Sequence, residues 1–400
     1  MAGRRGRVVP GTSAVAVVCL LLAALVGCGG RDDGAGTARA EVQRVLDRRA
    51  AAVLHRDRDA YAVTGTAAGF DALRAVPLAA WAYRVTALDR AGDTATATAE
   101  LRYRIAGHDR GSVTARRSVG LRRDGNGRWS VTSEGPAPKA ARQLWDEGTV
   151  QAVRGTHSLV LGVGQSTGTL RGFADLADRA VPAVSDAWDR PWARGVVLLV
   201  PRSLAGMADL LGSPAASYRG IAAVTTGETG GHERAPADRI VINPDAYGML
   251  GTLGRQVVLT HETTHVATRA DTTAATPLWL SEGYADWVGY RAAGRTPGQA
   301  APELARAVEA GRLPDALPSD KAFAFTGDAE GLARAYEGGW LACRLIAERW
   351  GEDRLDAFYR AVGAGAERAG AVDKALREAL GTTEADFTAR WREYVAEQLG

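Results

Sequence analysis

The sequence predicts an α+β protein of two domains with a helical C-terminal part. Between residues 38 and 135, one helical pattern precedes a series of alternating strand patterns. Gly135-Pro136-Ala137-Pro138 then breaks both helix and strand. Beyond this break, strand and helix patterns alternate before helical patterns take over. We therefore expect an N-terminal helix with a curved antiparallel sheet, then a mixed sheet over a helix, then further helices.

The first predicted domain covers residues 38–135. Apolar positions between residues 42 and 54 indicate its helix. Its strand patterns occupy residues 81–88, 94–105, 112–121 and 129–132. A helix followed by a meander of long antiparallel strands resembles an NTF2-like cone, in pattern and without a motif. That resemblance implies an accessory domain that positions a catalytic domain or binds a peptide, since no cluster of His, Asp and Glu marks a site within it.

Residues 136–144 are predicted to link this domain to a second one at residues 145–400. Strand patterns lie at residues 157–163, 195–200 and 240–242, and a helix pattern covers residues 170–188. The C-terminal third is helical and closes with Phe387, Trp391 and Val395 at four-residue spacing.

The stretch from His261 to His265 reads His-Glu-Thr-Thr-His. On a helix, the two histidines lie on one face and can reach the same zinc ion, while Glu262 lies beside that ion. A carboxylate there can take a proton from a zinc-activated water and pass it to a leaving amine. Apolar residues before and after the motif predict a buried helix, in which histidines need partners. The alternative is a polar helix face with two solvated histidines.

A catalytic zinc ion needs a third protein ligand. In the stretch Trp279-Leu280-Ser281-Glu282-Gly283-Tyr284-Ala285 the chain resembles the gluzincin metallopeptidases of the peptidase MA-like group, whose second helix supplies a glutamate ligand in a W-L-x-E-G-x-A setting. The resemblance implies that Glu282 is this ligand. The resemblance implies that Ser281 opens this helix. It also implies that Asp286, four residues after the ligand, accepts the free N–H of His261 or His265. A helix N-terminal carboxylate and a solvated surface acid are the alternatives for Glu282 and Asp286.

Tyr336 is predicted to begin an amphipathic helix that stops at Gly351. In the gluzincins, a tyrosine at the head of this helix faces the zinc and can donate a hydrogen bond to the oxyanion. The resemblance implies that role for Tyr336; a core tyrosine with its hydroxyl at the rim is the alternative.

Residues 1–27 have the form of a lipoprotein signal peptide. Arg4, Arg5 and Arg7 precede an apolar run too short to span a bilayer as a mature helix. Residues 25–28, Leu-Val-Gly-Cys, resemble a bacterial lipobox, which implies lipidation of Cys28 after cleavage. Residues 28–37 are predicted to be a flexible tether. We expect a lipid anchor at the extracytoplasmic face of a bacterial membrane; an ordinary secretory signal with an incidental cysteine is the alternative.

Charge and cysteine usage argue against other classes of function. The formal net charge of +3 falls close to zero once the signal peptide and its three arginines are removed. Without a run of five or more basic residues, nucleic acid is not an expected partner. Of the 3 cysteines, Cys19 leaves with the signal, Cys28 carries lipid, and Cys343 lies on an apolar helix face. No disulfide framework or redox function follows.

Together these features predict an exported, lipid-anchored zinc metallopeptidase that binds one Zn²⁺ and acts on a peptide or protein. A segment of the type that holds the substrate amine in the related aminopeptidases is not evident, which favours an endopeptidase. A non-catalytic, zinc-stabilised binding lipoprotein is the rival from another class. A cell-envelope hydrolase of peptide cross-links is a third possibility. Neither the oligomeric state nor a lid role for the loop with Gly227, Gly230 and Gly231 follows from the sequence.

Overall fold

The computed structural model describes residues 32–226, 237–324, 328–365 and 367–400. The predicted signal peptide, Cys28 and the loop with Gly227, Gly230 and Gly231 lie outside these residues. The described chain has the predicted α+β class: a four-stranded antiparallel sheet, a mixed five-stranded sheet and a helical C-terminal part.

The N-terminal part packs one long helix on an antiparallel sheet. Its helices α1 to α3 span Asp32–His55, Arg58–Val63 and Phe70–Leu73. Its strands β1 to β4 span Leu78–Ala91, Thr94–Ile105, Val113–Arg123 and Trp129–Pro136, in the sheet order β1-β2-β3-β4. Every second residue of β2 is buried, and Ala97, Ala99 and Leu101 lie in one core with Val42 and Leu46 of α1. The alternation arises because one face of the sheet covers the helix.

Two predicted boundaries of this part are wrong. Helix α1 begins at Asp32, so the tether predicted at residues 28–37 is helical over most of its length. Extending a helix that is already anchored by packing costs much less than starting one. Strand β4 continues beyond residue 132 to Pro136, through the predicted break. As the edge strand of its sheet, β4 can end on a proline without losing a central ladder bond.

The linker predicted at residues 136–144 is also more ordered than a spacer. A short 3-10 helix ends at Asp146, whose carboxylate accepts two hydrogen bonds of 2.8 and 2.7 Å from the Arg117 guanidinium. The ring of Trp145 lies 5.3 Å from that of Trp81 on the sheet. A bidentate ion pair and an aromatic contact hold this segment against the N-terminal sheet.

The second part contains a mixed five-stranded sheet. Its strands β5 to β9 span Val150–Arg154, Ser158–Val163, Val196–Val200, Ala223–Thr225 and Ile240–Ile242, in the sheet order β5-β6-β7-β9-β8. Strands β6, β7 and β9 are parallel, and β5 and β8 are antiparallel edges. Helices α4 to α6 span Thr167–Ala187, Leu204–Leu211 and Pro244–Met249. The sequence did not predict β5 and β8, because neither has the continuous run of large apolar residues that marks β7 and β9.

Helices make up the rest of the chain. Helices α7 to α14 span Thr252–Thr268, Leu278–Tyr290, Pro297–Ala300, Pro302–Glu309, Ala329–Trp350, Glu352–Gly363, Ala371–Ala375 and Glu384–Leu399. Helix α11 ends where predicted, since Gly351 has φ +95°, which favours glycine. Within the described ranges, none of the helices is long and apolar enough to cross a membrane.

The two parts share a buried boundary. Val76 and Ile105 of the N-terminal part lie in one apolar cluster with Leu159 and Leu161 of β6. A buried ion pair between Asp109 and Arg239 also crosses this boundary. The N-terminal part is therefore packed on the sheet that carries the site described next.

Candidate metal centre

Helix α7 carries the His-Glu-Thr-Thr-His motif through the interior of the protein. Thr263 and Thr264 between the histidines are buried, and each hydroxyl donates to the carbonyl four residues earlier, at 2.7 and 2.8 Å. These local hydrogen bonds satisfy the hydroxyls without tertiary partners. His265 is buried and His261 is nearly so. The alternative of two solvated histidines is therefore wrong.

Helix α8 brings Glu282 to the same place, but it does not begin at Ser281 as predicted. It begins at Leu278, immediately after Pro277, because the fixed φ of proline suits a helix start and Asp320 accepts the Leu278 N–H at 2.9 Å. Ser281 lies within the helix and is buried. Glu282 consequently lies beyond the first turn, where the helix macrodipole contributes little.

The three predicted ligands converge on one point. Nε2 of His261 and Nε2 of His265 are 3.0 Å apart, and Oε2 of Glu282 is 3.3 Å from the first and 3.5 Å from the second. The three atoms are close enough together that one ion could contact all of them. Two imidazoles and a carboxylate suit a divalent transition metal. The group could therefore hold a metal ion.

Asp286 lies one turn after Glu282 and contacts the far side of the His261 ring. Its Oδ1 is 2.8 Å from Nδ1 of His261. With Asp286 ionised, Nδ1 carries the proton and donates it, which leaves the lone pair of Nε2 directed at the ligand group. A solvated surface acid does not describe this position.

The charges of the centre reinforce one another. Burial by itself lowers the pKa of His261, but the nearby carboxylates of Asp286 and Glu282 outweigh it and raise that pKa well above its usual value. Burial raises the pKa of Glu282, yet the charges and hydrogen bonds of His265 and His261 bring it well below its usual range. A metal cation bound at this group would compete with the proton on His261.

Glu262 lies beside the ligand group without belonging to it. Its carboxylate Oε2 is 2.7 Å from the hydroxyl of Thr225, the last residue of β8. Sequence reasoning missed Thr225, and no pattern could have revealed it, because it lies on a three-residue strand 37 positions before Glu262.

Tyr336 faces the centre from helix α11, but not from the head of that helix. The helix begins at Ala329, where Asp328 accepts the Gly331 N–H at 2.8 Å, so Tyr336 lies about two turns further on. The ring centres of Tyr336 and His261 are 6.3 Å apart. Tyr336 therefore lies beside the centre, although the predicted start of its helix is wrong.

Close packing of two glycines fixes the distance between α8 and α11. A Cβ on Gly339 would lie 2.6 Å from the carbonyl oxygen of Trp279, and a Cβ on Gly283 would lie 2.3 Å from the backbone of Gly339. Only glycine allows this approach. It places Glu282, the neighbour of Gly283, opposite the helix that carries Tyr336.

A cleft of about 620 Å³ opens over the centre. His261 and Glu262 form part of its floor, and Tyr336 and Asp286 also line it. One wall is the segment from residue 216 to Ala223, which leads into the edge strand β8. The ligand group is therefore accessible from a space large enough for several side chains.

The other histidines that the structure describes take no part in this centre. Nδ1 of His55 lies 2.9 Å from the carbonyl of Ala51 on its own helix, and burial lowers the pKa of His108. His157 immediately precedes β6, and His232 is outside the described residues. Over the described ranges, His261, His265 and Glu282 are the only group of three or more such ligands that could hold an ion.

No known protein family matches the chain, and no characterised protein matches it significantly.

Proposed function

We propose that this protein is a zinc metallopeptidase that cleaves within peptide chains, exported and anchored to the membrane by lipid on Cys28. The observation that carries the proposal is the position of Glu262, a carboxylate beside three converging ligands and on the floor of a cleft. A purely structural metal site has no need of a base beside it. The resemblance to gluzincins in the motif and in the segment around Glu282 supports the same assignment.

The ligand set fits zinc, although it does not identify it. Two histidines and one carboxylate with an open position are the ligands of several zinc peptidases. The same donors hold iron(II) in some oxygenases. Glu262 favours zinc, because hydrolysis by an activated water needs a base whereas oxygen activation does not.

In this proposal, the ion would polarise the peptide carbonyl and make a water molecule acidic enough to lose a proton near neutral pH. Glu262 accepts the proton of the attacking water and delivers it to the departing amine. Tyr336, across the cleft from the motif, donates a hydrogen bond to the negative charge that develops on the carbonyl oxygen, a contact worth a few kcal/mol. Asp286 keeps His261 in the tautomer that binds the ion.

Strand β8 supports a peptide as substrate. It is an edge of the sheet, and the residues leading into it line the cleft next to Glu262. An extended chain can bind such an edge through backbone hydrogen bonds, with little demand on its sequence.

The deciding experiment compares the wild type with Glu262→Gln. We expect both to retain one zinc per chain, and the variant to lose at least ~10²-fold in peptide hydrolysis. Glu282→Gln serves as the control that loses metal. The measurements are metal analysis and turnover of a quenched fluorescent peptide library.

Two results would contradict the proposal. Full activity in Glu262→Gln would exclude this residue as the base. Zinc-loaded wild type without turnover on the library would favour the non-catalytic, zinc-stabilised binding lipoprotein.

A further inference from the structure

Glu262 is held by a residue of the neighbouring sheet. Thr225 is fully buried, and its hydroxyl lies 2.7 Å from Oε2 and 3.0 Å from the main-chain oxygen of Glu262. Its single proton goes to the carboxylate, which is the stronger acceptor. This bond fixes the rotation of the carboxylate and leaves the second oxygen to accept another proton.

Strands β8 and β9 form the hairpin that carries Thr225, and further hydrogen bonds hold the two strands together at Thr226 and Arg239. Thr226 and Arg239 exchange hydrogen bonds of 2.8 and 2.9 Å across the two chain segments. From the end of α7, Arg269 donates to the Thr226 carbonyl at 2.7 Å and to Asp238 at 2.9 Å. The position of Thr225 therefore depends on the backbone of Arg239 and on the guanidinium group of Arg269.

The N-terminal part supplies the partner of Arg239. Asp109, on the turn between β2 and β3, has each carboxylate oxygen 2.7 Å from one nitrogen of the Arg239 guanidinium. The same carboxylate accepts the Ile105 N–H at 2.7 Å, which fixes it to the end of β2. Both members of the pair are 7% exposed. An ion pair this deeply buried resists displacement, because either partner alone would be a buried, uncompensated charge.

We propose that the N-terminal domain is a positioning element of the catalytic site, acting on Glu262 through Asp109, Arg239 and Thr225. This inference rests on the proposed role of Glu262 as general base. If the pair with Asp109 weakens, Arg239 and the hairpin can move, and Thr225 no longer selects one carboxylate orientation. A misplaced base lowers the rate of the chemical step but leaves the three metal ligands, which lie on α7 and α8, in place.

The first test is on Thr225. Thr225→Val keeps the shape of the side chain and removes the hydroxyl; we expect kcat to fall about 10-fold with KM and metal content unchanged. Thr225→Ser restores the hydroxyl and should recover kcat to within about 3-fold of wild type. Equal losses in both variants would mean that packing, rather than the hydrogen bond, is what matters.

The second test is a double-mutant cycle between the two domains. Asp109→Asn alone should lower kcat several-fold, and Asp109→Asn in the Thr225→Val background should lower it no further, because both changes act on the same contact. Independent, multiplicative effects would overturn the proposal. Arg239→Lys, which keeps the charge and loses the bidentate geometry, tests the same path should Asp109→Asn fold poorly.

The matched control is Glu134→Gln. Glu134 pairs with the buried Arg49 and Arg117 within the N-terminal part and does not touch the hairpin. This variant should lose stability without losing kcat. An equal fall in kcat would show that any damage to the N-terminal part has this effect, and the proposal would fail. If the wild type hydrolyses peptides and Asp109→Asn is fully active, the inference fails while the proposed function stands.

Discussion

At the scale of single residues, the contact between His261 and Asp286 decides how well the ion is held. The 2.8 Å contact sets the tautomer of the ring and increases the basicity of Nε2. We expect Asp286→Asn to weaken zinc binding about 10- to 100-fold, because a neutral amide accepts the Nδ1 proton less strongly.

A competition titration with a zinc chelator measures this change. Asp186→Asn is a suitable control, because Asp186 pairs with Arg291 at the surface. Unchanged affinity in Asp286→Asn would mean that the acid has no part in holding the ion.

Glu337, the neighbour of Tyr336, offers a test by pH. Burial raises the pKa of Glu337 to about 7, although its oxygens accept the N–H groups of Leu304 and Glu303. The folded protein thus holds this proton more tightly than the unfolded chain, whose value is 4.5. Glu337 therefore lowers the free energy of unfolding as pH rises from about 4.5 to about 7.

We expect Glu337→Gln to remove this dependence. The difference in free energy of unfolding between the variant and the wild type should rise by on the order of 1 kcal/mol from pH 5.5 to pH 8. This figure allows for the partial exposure of the group. Urea denaturation at both pH values measures the difference. If the difference in free energy of unfolding between the two proteins does not vary with pH, the pKa of Glu337 is not raised.

At the scale of elements, the crossing of α8 and α11 sets the shape of the site. We expect Gly339→Ala to destabilise the protein by about 1–3 kcal/mol, because the new methyl would lie 2.6 Å from the Trp279 carbonyl. Separating the helices also moves Tyr336 away from Glu282, so turnover should fall with stability.

Gly172→Ala on α4 is the matched substitution, since nothing lies within 4 Å of the added methyl. Helix propensity predicts that it stabilises the protein by up to about 1 kcal/mol. Thermal unfolding of the two variants compares them directly. Equal stability in the two variants would mean that the helices separate at no cost.

At the scale of the whole molecule, a bound ion would add a further link between helices α7 and α8. Binding to the folded state only adds RT ln(1 + [Zn]/Kd), about 4 kcal/mol at a thousand-fold excess over Kd. We expect chelation to lower the melting temperature by several degrees in the wild type and in Glu262→Gln, which keeps all three ligands. Glu282→Gln should melt at the same temperature with and without chelator, and a shift there would imply another metal site.

The parts of the site that depend on local geometry could be predicted from the sequence. The pairing of His261 with His265 follows from 3.6 residues per turn, and the distance from Glu282 to Asp286 follows from the same period. The strand Thr94–Ile105 was predicted at its observed bounds because alternation over twelve residues leaves little ambiguity.

Tertiary contacts decided the rest. Helix α8 begins at Leu278 because Asp320, 42 residues away, accepts its N–H. Helix α11 begins well before Tyr336 because Asp328 caps it. Neither partner is marked by a periodic pattern, so the sequence placed both helix starts too late.

The sequence by itself determined the class of the fold, the pairing of His261 with His265 and the place of Glu262 beside them, since each depends on periodicity within one helix or strand. The choice of Glu282 came from the resemblance of its segment to the gluzincins. Only the tertiary structure decided that a turn of the N-terminal sheet reaches the hairpin next to Glu262. That contact joins Asp109 to Arg239 over 130 residues. Hydrogen bonds between distant segments depend on how whole elements pack, and the periodicity of the sequence does not reveal that packing.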